Sequence, residues 1–149
     1  MYLYALTREI TRTTVAIDLL ESLSPDPVTV LRVHAERSPD YAQGDRAIRL
    51  QAIETRGHGE ERVTLDAALS SRGAHAIRHY LTRTVRAEAA GDRTIEAADP
   101  AVSISYDKYL GFRLQAGDAA AWIASPRDET WRLLDQALMQ AAMTCMRST

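Results

Sequence analysis

Cysteine is nearly absent from this sequence of 149 residues. Its scarcity excludes small proteins held together by disulfides and those built around a cysteine-ligated zinc ion. Cys145 is the only cysteine, so no internal disulfide can form. Zinc sites built on cysteine need several thiolate ligands, so that kind of site is excluded as well. A lone free thiol suits a reducing compartment. We therefore expect a cytoplasmic protein that folds without a covalent cross-link.

Lysine is as scarce as cysteine. Lys108 is the only one among 18 basic residues, and the formal net charge is −2. Nucleic-acid-binding proteins usually carry a basic excess, so the charge balance disfavours nucleic acid as a partner. Arginine nonetheless has a local use, because its planar guanidinium pairs bidentately with carboxylates and phosphates. A cluster of arginines therefore remains a candidate anion site.

Long apolar runs and catalytic signatures are missing too. No apolar run approaches the roughly 20 residues that a membrane-spanning helix needs. In the opening stretch MYLYALTREITR, no basic region precedes the apolar run, and the run itself is too short for a signal peptide. Neither a phosphate-binding P-loop nor a Gly-x-Ser-x-Gly motif occurs. We expect no membrane partner, no cofactor and no metal, and we favour a non-enzymatic role.

The composition is otherwise ordinary, with 46% hydrophobic and 26% charged residues. These fractions are typical of a soluble globular protein. A chain of this length can bury about two thirds of its unfolded surface in a single core. We therefore expect one folded domain that covers residues 1–149.

The hydrophobic pattern predicts an α+β fold with a mainly antiparallel sheet. The expected element order is β-α-β-β-(β)-α-β-β-α. In chain order the elements are a strand in MYLYAL, a helix over residues 8–23, a hairpin of strands over 28–36 and 46–54, an optional strand at 62–65, a helix over 66–90 that could break near residue 73, a hairpin over 102–107 and 112–116, and a helix from about 126 to 146.

The first helix is predicted from apolar residues that recur at steps of three and four. These residues are Ile10, Thr13, Ile17, Leu20 and Leu23. With this helix, the first six secure elements have the βαββαβ order of ferredoxin-like folds. From the helix onward, the element order also resembles that of class I type III secretion chaperones. That resemblance implies a small, dimeric, cytoplasmic protein.

The stretch RGAHAIRHYLTRTVR, residues 72–86, has the pattern of an amphipathic helix with a basic outer face. At about 100° per residue, five side chains fall within a stripe of roughly 80°. They are Arg72, His75, His79, Arg83 and Arg86. A charged stripe of this kind is usually a solvated face. The alternative is contact with a phosphate, a nucleic acid or an acidic partner, with Arg49 and Arg113 as helpers.

The spacing of His75 and His79 also fits two zinc ligands on one helix face. A third ligand would have to come from the preceding turn, as His58, Glu60 or Glu61. However, Ala76 stands where the zinc-protease motif has its glutamate. The neighbouring arginines would also repel a cation. We therefore expect no metal at this helix.

The last predicted helix has more apolar circumference than an ordinary surface helix. One apolar stripe contains Trp131, Leu134, Leu138, Ala141, Ala142 and Cys145; Met139, Met143 and Met146 form a neighbouring stripe. Residues 136–146 include no charge. Such a helix needs two burial partners. Either both stripes lie in one thick core, or the methionine edge contacts another polypeptide, for which the unbranched methionine side chain is well suited.

We therefore predict a non-enzymatic protein-binding module, such as a chaperone, an adaptor or an inhibitor. It would dock through Trp131, Met139, Met143 and Met146, with another protein as partner and a homodimer as its own state. The alternative is nucleic-acid or phosphate-ligand binding through the basic face of residues 72–86. A third possibility is a small enzyme assembled around the four histidines, His34, His58, His75 and His79.

Overall fold

The computed structural model describes residues 3–10, 14–21, 28–37, 40–42, 44–57, 59–85, 91–107, 111–122 and 131–146. The strands are β1 (Leu3–Ile10), β2 (Thr14–Glu21), β3 (Val28–Glu36), β4 (Ile48–Thr55), β5 (Glu61–Leu69), β6 (Arg93–Ile95), β7 (Ala98–Asp99), β8 (Val102–Asp107), β9 (Gly111–Ala116) and β10 (Ala119–Trp122); the helices are α1 (Ser71–Val85) and α2 (Trp131–Met146). They form two antiparallel sheets, which confirms the predicted α+β class.

The larger sheet has six strands in the order β1-β2-β3-β4-β5-β7. Its central hairpin, β3 and β4, was expected from the alternation of apolar and polar residues. Ile48, Leu50 and Ala52 alternate along β4 and are fully buried, whereas Arg49 between them is exposed. The predicted hairpin with one buried and one solvent-facing side is therefore confirmed.

The helix predicted over residues 8–23 is wrong, because β1 and β2 occupy that segment. β2 pairs along its whole length with β3 and over Val15–Glu21 with β1, so that Ile17 lies opposite Arg8 on β1 and Val33 on β3. Its β-branched residues Val15 and Ile17 favour an extended backbone. The βαββαβ order behind the ferredoxin-like prediction is therefore absent from the described residues, as is the first helix of the secretion-chaperone order.

The helix predicted over residues 66–90 is shorter at its start than expected. Asp66 lies inside β5, and α1 begins only at Ser71. Ser70 caps the helix: its side-chain Oγ accepts a hydrogen bond from the backbone N–H of Gly73 at 3.1 Å. The helix then runs through Gly73 without the break that the sequence allowed.

The smaller sheet has the order β10-β9-β8-β6. It contains the predicted hairpin of β8 and β9, in which Ile104 lies opposite Leu114 and Tyr106 opposite Phe112. Phe112 is fully buried, and its ring meets that of Tyr80 from α1 edge-on, with 6.1 Å between the ring centres. This contact fixes α1 against the smaller sheet.

The helix α2 packs on the buried face of the larger sheet and alongside α1. Leu31, Val33 and Ala35 from β3 belong to the same buried cluster as Leu134 and Leu138 from α2. An ion pair joins the two helices, with Arg78 Nε donating to Asp135 Oδ1 at 2.9 Å. Within the part of the chain that the structure describes, no helix is both long and apolar enough to cross a membrane.

The backbone carbonyl of Ala97, in the turn between β6 and β7, ties the start of α1 to that turn. Its oxygen accepts hydrogen bonds from the backbone N–H and the hydroxyl of Ser70, each at 3.0 Å. Gly73 packs so closely that a Cβ built on it would lie 2.6 Å from the same oxygen. Glycine is therefore required here by close approach, not by an unusual backbone angle.

We expect Gly73→Ala to lower the free energy of unfolding by about 1–3 kcal/mol, the usual cost of overpacking. The loss should outweigh the gain of up to about 1 kcal/mol that alanine brings within a helix. Gly44→Ala is the matched control, because a Cβ there meets nothing within 4 Å. Urea unfolding would measure both variants, and a Gly73→Ala protein as stable as the wild type would contradict this account.

Candidate functional site

The first apolar stripe of α2 lies inside the core. Leu134, Leu138, Ala141, Ala142 and Cys145 are each at most 2% exposed. Trp131, the remaining member of the stripe, is half-buried at the start of the helix. The fold itself therefore covers this stripe and supplies the first of the two burial partners that we expected for the helix.

The methionine stripe lies at the boundary between core and solvent. Met143 is 46% exposed and Met139, one turn earlier, is half-buried. The side chain of Met146 lies outside the described part of the structure. Among the residues from Val30 onward whose side-chain burial the structure describes, Met143 and Val63 are the exposed large hydrophobic side chains. The arrangement in which both stripes fill one thick core is therefore wrong for Met143.

Polar groups flank the methionine edge at the start of α2. Arg132 is exposed, and its guanidinium carbon lies 5.6 Å from the ring centre of Trp131, within range of a cation–π contact. Asp135 is engaged by Arg78, and Gln136 is exposed. Within the described helix, the edge is thus a narrow apolar strip whose charged neighbours, Arg132 and Asp135, lie in its first turn and a half.

The basic face of α1 points outward as the sequence predicts. Arg72, His75, His79 and Arg83 are all exposed. Ile77 and Leu81 on the opposite side are fully buried. Arg86 lies outside the described residues. The amphipathic helix is therefore confirmed, while its role in binding stays a prediction.

The two arginines suggested as helpers lie elsewhere and are already engaged. Arg49 donates to Asp66 Oδ2 at 2.7 Å across β4 and β5. Arg113 donates to Gln115 Oε1 at 3.1 Å along β9. Both arginines lie on strands and neither bond involves α1, so these bonds do not join either arginine to the basic face of the helix.

The histidines do not assemble into one described site. His75 and His79 lie exposed on α1, whereas His34 lies on β3, 3.8 Å from Glu36. His58 lies outside the described residues. In the described ranges, no group of three His, Cys, Asp or Glu side chains is placed to hold a metal ion. Glu60 and Glu61, named as possible third ligands, are both exposed.

A cleft of about 410 Å³ between α1 and the β6–β7 turn was not foreseen from the sequence. Arg72 and Ala76 from α1 form one wall, and residues 93–97 form the other. Arg72 was singled out as part of a helix face, but Arg93 carried no signal of its own. Arg72 and Arg93 line the same cleft only because the β6–β7 turn packs against the start of α1 through Ala97.

The thiol of Cys145 is buried against the larger sheet. Its Sγ lies 3.8 Å from the carbonyl oxygen of Glu36, and the residue is 1% exposed. Burial raises the pKa of Cys145 to about 11. A thiol that stays protonated is a weak nucleophile, so Cys145 acts as a packing residue.

This raised pKa predicts that stability falls at alkaline pH. The folded protein holds the thiol proton more tightly than the unfolded chain, whose thiol has an ordinary value near 9.0. The contribution is therefore complete below pH 9 and is lost as the pH rises to about 11, by on the order of 2 kcal/mol.

Urea unfolding at pH 8, 9 and 10 would test the effect, with Cys145→Ala as the comparison. Stability of the wild type should fall more steeply with pH than that of the variant. Parallel pH profiles would contradict a buried, protonated thiol.

Comparison with models of known protein families, with curated proteins and with solved structures gives no match for this chain.

Proposed function

We propose that this protein is a cytoplasmic, non-enzymatic module that works by binding another polypeptide through the methionine edge of α2. A chaperone, an adaptor and an inhibitor are the roles that this mode of action would serve. The proposal rests chiefly on one observation, the exposure of the apolar Met143 beside the half-buried Met139, one turn from it on α2.

The chemistry of the edge supports a protein contact. From Gln136 to the end of α2 there is no charged residue that would have to be desolvated when a partner binds. Complete burial of a methionine side chain contributes about 1.5–3 kcal/mol. Two methionines supply only part of a stable interface, which buries about 800 Å² on each partner. Flanking side chains such as Trp131 and Gln136 would have to complete it.

A second copy of the chain is the occupant that the layout of α2 favours. Met139 lies near the middle of the helix, so a two-fold axis there would place it against its own copy, with the helices antiparallel. Met143 would then face the region of Gln136 on the partner. Arg132 would lie near the carboxyl end of the partner's helix, where the helix dipole favours a cation.

We expect the wild type to be a dimer and Met143→Lys to shift it to a monomer. The exposed position of Met143 lets lysine replace it without unfolding, while a charge at the interface opposes association. Sedimentation equilibrium at about 10–100 µM would measure the oligomeric state, and thermal unfolding would confirm that the variant is folded.

Val63→Lys is the matched control, because Val63 is 51% exposed but lies on β5. It should leave the oligomeric state unchanged. A monomeric wild type would exclude self-association through α2. A dimer unaffected by Met143→Lys would place the contact elsewhere.

A further inference from the structure

The walls of the 410 Å³ cleft are held in place by the Ala97 carbonyl. Ser70 binds that carbonyl from the start of α1, and Gly73 packs against it. Arg72 lies between these two residues, and Arg93 belongs to β6, which pairs with β8. Both arginines therefore project from anchored backbone, so the cleft does not depend on a loose loop for its shape.

The two arginines carry charge that the described structure does not neutralise. Among the described residues, neither Arg72 nor Arg93 makes an ion pair or a side-chain hydrogen bond. Glu96 lines the same cleft, yet no ion pair joins it to either arginine. Elsewhere, Arg49 and Arg78 each lie within 3 Å of a carboxylate oxygen. The cleft thus keeps two guanidinium groups available to a ligand.

The position of Arg72 is also unfavourable for the helix alone. It lies in the first turn of α1, where the helix dipole disfavours a cation, and that turn contains no acidic residue. The N–H groups at this helix start are not the site, because Ser70 Oγ and the Tyr41 hydroxyl already accept from Gly73 and Ser71. An anion between the arginines would offset the charge instead.

We propose that this cleft binds a small phosphomonoester that carries a hydroxyl group, with Arg72 and Arg93 as the phosphate clamp. Two guanidinium forks match the three oxygens and double charge of a phosphate better than a single carboxylate. Glu96 is placed in the lining to accept a hydrogen bond from a ligand hydroxyl. The volume lies at the small end of ligand-binding clefts.

A nucleic acid fits these features less well than a small ligand. The net charge of −2 gives no general attraction for a polyanion. Glu96 in the lining would repel a continuous phosphate backbone. The proposal concerns a different surface from the methionine edge of α2, so either can fail without the other.

Isothermal titration calorimetry with ribose 5-phosphate tests the proposal, with ribose and inorganic phosphate as partial ligands. Ribose 5-phosphate should bind more tightly than inorganic phosphate, and ribose alone should not bind. Arg72→Gln and Arg93→Gln should each weaken binding about tenfold or more, the usual effect of losing a charge-assisted hydrogen bond. Arg83→Gln, on the same helix face but outside the cleft, should change it less than about twofold.

Thermal unfolding separates binding from folding, because Arg72→Gln should leave the melting temperature unchanged or raise it. The proposal is overturned if neither ribose 5-phosphate nor phosphate binds at about 10 mM, or if Arg83→Gln weakens binding as much as Arg72→Gln. It is also overturned if a single-stranded oligonucleotide binds more tightly than ribose 5-phosphate and with a steep salt dependence, which would indicate a nucleic-acid surface.

Discussion

One backbone oxygen, that of Ala97, connects the parts of this fold on which the candidate sites depend. It accepts two hydrogen bonds from Ser70 at the end of β5 and lies in contact with Gly73 in α1. The turn that carries it joins β6 of the smaller sheet to β7 of the larger one. The first turn of α1 is therefore fixed against both sheets at once. Because a helix is rigid, the position of its first turn also determines where the remaining turns lie.

The position of α1 in turn limits what α2 can bury. The ion pair of Arg78 with Asp135 at 2.9 Å and the burial of Leu134 and Leu138 together set which face α2 turns to the core. With Leu134 and Leu138 turned into the core, the geometry of a helix leaves Met143 toward solvent. Exposure of Met143 and formation of the cleft are thus two results of one packing arrangement, although the two surfaces are separate.

The sequence predicted those features that depend on neighbours close in the chain. The β8–β9 hairpin, the exposed basic face of α1 and the buried stripe of α2 follow from local alternation and helical spacing. The segment of β2 was misjudged because its apolar spacing also fits a helix. Its extended form is supported by pairing with β3, a contact that local periodicity does not encode. The meeting of Arg72 and Arg93 was beyond prediction for the same reason.

Two short connections of the fold, β4–β5 and β6–β7, differ in how much change in length they could absorb. The β4–β5 connection closes through Gly59 N–H to Arg56 oxygen at 2.8 Å, and its described residues are exposed. An added residue there would extend into solvent. The residues between β6 and β7 must instead reach from one sheet to the other and deliver a carbonyl to Ser70. Natural variants of this protein that differ in length should therefore carry their insertions near residue 57 and keep the spacing from Arg93 to Ala98 constant.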